Sequence, residues 1–228
     1  RNNDLDRTEG VLTSALEGNP ESESLLQALA QVRILKRDWA GTKNILDSLG
    51  ESESPVTHLL NAQMYQGLED YTLAIGEYEL ALEKEPALTR ALQEMSQIYL
   101  RLEQQDKMID YLNQHIADHP ELLNGYSLLS NYYVSQQDWD SALAITEKGI
   151  QANPEWGGGY GIMAGIYQQK GDIEQAVATY QQGLEKLPED NILTLQLAST
   201  HESKNEYEKA RQLYEEVISR DPSIDVAA

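Results

Sequence analysis

Pro86, Pro120, Pro154, Pro188 and Pro222 each follow the previous one by 34 residues. A fixed period of this size means that the core is built between neighbours in sequence, and that constrains the fold more than any composition does. Other positions agree with the prolines. Ten residues after each of the first four comes a small residue: Ser96, Ser130, Ala164 and Ala198. Ala30 and Ala62 hold the matching places in the two earlier blocks. Three residues further on stand Tyr65, Tyr99, Tyr133 and Tyr167, with His201 in the last block. A second small column runs Ala74, Ala142, Ala176 and Ala210, and an aromatic follows four residues later at Tyr78, Tyr180 and Tyr214.

Within each block the apolar and small residues keep helical spacing, split by a short polar break. Tyr160, Met163, Ala164 and Tyr167 mark one helix face, Gly171-Asp172 makes a turn, and Ile173, Ala176, Val177 and Tyr180 mark the next. The closing proline disfavours helix at the residue before it and presets the start of the following one. Small residues let two antiparallel helices approach, and the aromatic fills the adjoining hole. Asp172-Ile173-Glu174-Gln175-Ala176-Val177-Ala178-Thr179-Tyr180 and Glu206-Tyr207-Glu208-Lys209-Ala210-Arg211-Gln212-Leu213-Tyr214 closely match the second helix of the tetratricopeptide repeat (TPR). The chain resembles that family over nearly its whole length. The resemblance implies an all-α fold, a right-handed α-solenoid superhelix of helix-turn-helix units with about thirteen helices. It is almost silent on function, because one fold serves many processes.

The repeat divides the chain into a second helix of a truncated repeat (1–22), six units (23–54, 55–88, 89–122, 123–156, 157–190 and 191–224) and the start of a further helix (225–228). The first unit is two residues short and carries Arg33 where tyrosine stands elsewhere and Thr42 where alanine does. In the third, Met108 and His115 occupy positions that usually take small residues. Weaker stacking is therefore expected around 42–57 and 105–118. The chain opens on Arg1 and has no obvious polar cap at either end, so further repeats are expected on both sides. The composition is reminiscent of bacterial repeat proteins.

With no cysteine there is no thiolate nucleophile, disulfide framework or cysteine–zinc site, which suits cytoplasm and periplasm alike. A formal charge of −21, from 38 acidic against 17 basic residues, repels nucleic acid and anionic lipid. No apolar run has the length to span a membrane, so no direct membrane insertion is expected. No cofactor is expected either. His115 and His119 share a helix face as metal ligands can, but only Asp118 offers itself as a third ligand, and packing is the favoured role of His115. Gly157-Gly158-Gly159-Tyr160-Gly161 looks like a phosphate loop, yet no strand precedes it. The carboxylates scatter without a paired histidine or serine, so the chain is read as no enzyme.

In stacked units of this family the first helices line a concave groove. One groove position reads Gln31, Gln63, Gln97, Asn131, Gly165 and Ser199 through the six units. Four consecutive amides offer donor and acceptor together, as a peptide group does, and can grip an extended backbone without reading its side chains. Gln27, Gln66, Gln93 and Gln168 lie nearby. Gly158, Gly161 and Gly165 would leave a hollow in the same face. Trp156, beside the glycines, is either a partner anchor or inter-repeat packing. Only Arg90 and Arg101 suit the carboxylate clamp that some family members use. The expected function is a protein–protein interaction scaffold that binds a peptide or protein through the groove. The alternatives are self-association through exposed terminal helices, and a recognition arm of a larger enzyme or of an envelope or polysaccharide-export assembly.

Overall fold

The structure is a computed structural model that describes residues 2–50 and 53–223. Among these residues there are thirteen α-helices and no strand: α1 (Asn2–Gly18), α2 (Glu23–Leu35), α3 (Trp39–Ser48), α4 (Pro55–Gly67), α5 (Tyr71–Lys84), α6 (Thr89–Arg101), α7 (Gln105–Asp118), α8 (Leu123–Ser135), α9 (Trp139–Ala152), α10 (Gly157–Gln169), α11 (Ile173–Lys186), α12 (Asn191–Ser203) and α13 (Tyr207–Arg220). First helices (α2, α4, α6, α8, α10, α12) and second helices (α3, α5, α7, α9, α11, α13) each recur every 34 residues from α4 and α5 onward. The expected further helix at 225–228 lies outside the described residues. The chain divides into two compact units, 1–108 and 109–228, with the division inside α7.

One device turns the chain inside every repeat. At residues 37, 69, 103, 137, 171 and 205 the backbone takes a positive φ of 56–80°. Around each, two amides reach back to carbonyls of the preceding first helix, as in Arg37 N–H to Ile34 and Asp38 N–H to Arg33. These bonds satisfy the carbonyls that a helix end leaves open. Glycine, which holds this conformation without a Cβ clash, occupies only one of the six places, Gly171. The next residue starts the second helix. The carboxylates of Asp38, Asp70, Asp138 and Asp172 each accept the amide three residues on.

The two small columns lie in the core. Ala30, Ala62, Ala164 and Ala198 are fully buried, as are Ala74, Ala142 and Ala176. Thr42 is buried too, its hydroxyl donating to the Asp38 carbonyl at 2.7 Å, so the larger residue fits by satisfying itself within its own helix. In the second unit Ser130 accepts a bond from Thr146 at 3.0 Å between α8 and α9. Tyr78 and Tyr180 lie in the core, and burial raises the pKa of both phenols. In unit one, Leu29, Ala30, Ile45, Leu46, Leu60 and Met64 form a buried cluster, and Leu12 and Leu16 of α1 pack against it. In unit two, Tyr160, Ala164, Ala176, Tyr180, Leu193 and Leu197 do the same for the last repeats. At the short junction between α3 and α4 an open hollow of about 850 Å3 is bordered by Leu26, Leu49 and Glu53.

Candidate partner-binding face

The column that the sequence assigns to a groove varies in exposure along the chain. In unit one Gln31 and Gln63 are half-buried and Gln97 is exposed; in unit two Asn131 and Ser199 are exposed. None of these side-chain amides, nor that of exposed Gln93, makes a hydrogen bond among the described residues.

The flanking glutamines behave differently. Gln66 accepts from the Tyr78 hydroxyl at 2.7 Å and donates to Glu94 at 3.2 Å, tying α4 to α5 and α6. Gln27 donates to Ser54 at 3.1 Å and Thr57 at 3.0 Å, and Gln168 to Thr200 at 2.8 Å. They are cross-links between successive first helices. Gln66 therefore leaves the set of free amides, because its carbonyl and an N–H are already committed.

Trp156 is among the buried side chains. It is 8% exposed and packs on Tyr126 with ring centroids 6.4 Å apart. A Cβ at Gly149 would fall 2.4 Å from its ring and one at Gly159 also 2.4 Å, so the ring occupies the space that these glycines vacate. Trp156 thus packs within the junction between repeats. Gly183 seats Tyr160 in the same way one repeat later, with a Cβ-to-ring distance of 2.8 Å. These seats are legible as a pair of glycines one period apart, a signal that the small-residue columns did not include.

The glycine run itself is not a loop. Gly157 through Gly161 form the first turns of α10. Their exposed side opens a hollow of about 310 Å3 lined by Gly157, Gly158, Gly161, Ile162, Ile192 and Gln196, among others. Ile192 is 70% exposed at its edge. Gly165 does not line this hollow, although a Cβ there would meet open space.

The remaining chemical candidates take structural roles. His115 is buried, shares a 3.1 Å bond with Asn124 and lies 5.4 Å from the His119 ring. Burial holds its imidazole below the usual histidine range, against the raising effect of Asn124. No group of three or more histidine or carboxylate side chains placed to hold a metal occurs among the described residues. The Arg101 guanidinium lies over the Tyr71 ring, 5.4 Å from its centroid. No helix among the described residues is long and apolar enough to cross a membrane.

Paired helices at a 34-residue interval, each turned by the same backbone motif, define the class as an α-helical repeat protein. The tetratricopeptide-repeat family model matches residues 163–223. No curated protein matches the sequence significantly. Among solved structures the chain is similar to a tetratricopeptide repeat protein of Parabacteroides merdae, at 16% identity and TM-score 0.52, covering 96% of this chain and 87% of that one. It is similar to a thermophilic TPR protein of Thermus thermophilus, at 21% identity and TM-score 0.51, over 75% of this chain and 93% of that one. PilW, a widely conserved type IV pilus biogenesis factor, aligns at 15% identity and TM-score 0.54, over 89% and 94%. Likeness at these identities is one of fold. The family model thus covers residues 163–223, and over the rest of the chain the likeness is to the fold of tetratricopeptide-repeat proteins.

Proposed function

We propose that the chain is a non-enzymatic scaffold whose first-helix faces hold an extended, largely uncharged segment of a protein partner. The observation that carries this reading is the segregation of charge. α4, α8 and α10 contain no Asp, Glu, Lys or Arg, and α12 contains only Glu202. Every second helix from α5 onward carries at least three such residues. A molecule of charge −21 thus keeps four of its six first helices almost free of charge, the exceptions being α2 with Glu23 and Arg33 and α6 with Arg90, Glu94 and Arg101. A charged face is ordinary solvation, whereas a neutral face with unengaged amides and an apolar hollow offers hydrogen bonds and side-chain burial without long-range attraction.

In unit one the gripping groups are Gln31, Gln63 and Gln97, with Gln93 beside them. In unit two they are Asn131 and Ser199, and the hollow at Gly161 takes one apolar side chain of the bound segment. Gly165 leaves room for its backbone to approach α10. The test is site-specific photocrosslinking in extract of the native organism. Benzoylphenylalanine at Gln97 or Ser199 is expected to trap a protein partner, while the same group at exposed Gln151 or Gln182, on second helices, is expected to trap little. Trapping only from the second-helix positions would overturn the reading.

A further inference from the structure

Arg33 breaks the tyrosine column, and the structure shows what replaces the lost aromatic contact. Its Nε donates to Glu9 of α1 at 3.1 Å, and its Nη1 lies 3.6 Å from Asp38. One turn later, Lys36 reaches both Asp6 and Glu9 of α1 at 2.6 Å. The Glu9 carboxylate therefore bridges two cations of the α2 end. It is 22% exposed, against 62% for Asp6, so water screens it less.

Beyond these pairs, α1 packs through a few half-buried apolar side chains. None of its described residues is buried, and its apolar contacts are the half-buried Leu5, Leu12 and Leu16. Val11 is 64% exposed. Gly10 sits mid-helix with nothing within 4 Å of where its Cβ would stand, so its low helix propensity is not repaid by close packing. A helix of 17 residues is marginal in isolation.

We propose that α1 is an electrostatic strap, released by salt independently of the remaining helices, which covers the apolar cluster of α2, α3 and α4 only while Glu9 and Asp6 are paired with Arg33 and Lys36. Asp38, at the start of α3, also faces Arg33, at 3.6 Å. Lys36, through its hydrogen bond, holds Glu9 below the usual carboxylate range, so acid weakens the strap as pH falls under about 4.5. The direction of the salt effect is diagnostic. Screening relieves self-repulsion in a chain of charge −21 and tightens most of it, whereas it loosens a helix held by opposite charges.

Hydrogen exchange on the whole chain tests this. Between about 20 mM and about 500 mM sodium chloride, α1 amides are expected to exchange about tenfold faster while those of α5 hold or slow. Lys36→Glu, which sets a third carboxylate beside Asp6 and Glu9, is expected to open α1 already at low salt, and Lys36→Arg, which keeps the charge, to leave it protected. Equal protection of α1 at both salt concentrations overturns the proposal, as does an α1 unprotected at low salt. Because the salt comparison uses the unaltered chain, a variant that fails to fold does not remove the test.

Discussion

Each of the six repeats turns on one left-handed residue, and five of the six carry a side chain: Arg37, Glu69, Glu103, Gln137 and Asn205. A left-handed conformation costs an ordinary residue about 1–2 kcal/mol, while glycine brings about 0.5–1 kcal/mol of extra unfolded-state entropy. The difference favours glycine. Gln137→Gly is expected to stabilise the chain by about 0.5–1 kcal/mol, read as a higher midpoint in thermal unfolding. An unchanged or lower midpoint would mean that the turn is not strained. Tyr180→Ala, at a side chain 3% exposed, is expected to lose about 3–5 kcal/mol, and a loss under about 1 kcal/mol would remove Tyr180 from the core. Single residues were also where sequence reasoning was weakest. The period located Trp156 at a junction but not the glycines that receive its ring, because a seat is defined across two helices. Gln66 and Gln63 are indistinguishable in a sequence column, and only the Tyr78 and Glu94 contacts separate a cross-link from a free amide.

Helices were far more legible, since their faces and breaks are written in local spacing. The pairs, their turns and their small contact columns all follow from residues within one period. Departures from the period had local answers of their own: Thr42 bonds back within its helix, Arg33 pairs with α1, and His115 meets Asn124. The last makes α7 and α8 sensitive to acid. His115 sits below its ordinary pKa because its neutral form is favoured in the fold, so its contribution is present above about 6.5 and is lost as pH falls from there through the lower value held in the fold. Asn124, His119, Asp118 and Glu121 are the groups facing it. Glu206, which Lys209 and His201 hold down to about 2, responds only below 4.5, so the two effects separate in pH. The thermal midpoint of the native chain is expected to fall between about pH 7 and about pH 5 more than that of His115→Gln. Parallel curves would assign the loss elsewhere. Irregular repeats are also expected to open more readily. Amides in 42–50, 53–57 and 105–118 are expected to exchange faster than those in 160–184, and equal protection would break the link between irregularity and local stability. Residues 51 and 52, inside the first stretch, lie outside the described ones.

For the whole molecule, the governing fact is where charge is absent. Acidity in a repeat scaffold keeps it soluble and discourages nucleic acid, but it also repels acidic partners unless one surface is kept neutral. On the proposed reading, near-chargeless α8, α10 and α12, with amides, hydroxyls and the hollow at Gly161, supply such a surface. The central claim is that binding there is carried by neutral hydrogen bonds and burial. Short random peptides selected on the immobilised chain and then titrated at about 50 mM and about 500 mM salt test it most directly. The account predicts selected peptides poor in charge, affinities that change by less than about threefold with salt, and a loss of about 0.5–1.5 kcal/mol per bond when Asn131 and Ser199 become alanine. Basic peptides whose affinity falls steeply with salt, unmoved by those alanines, would contradict it.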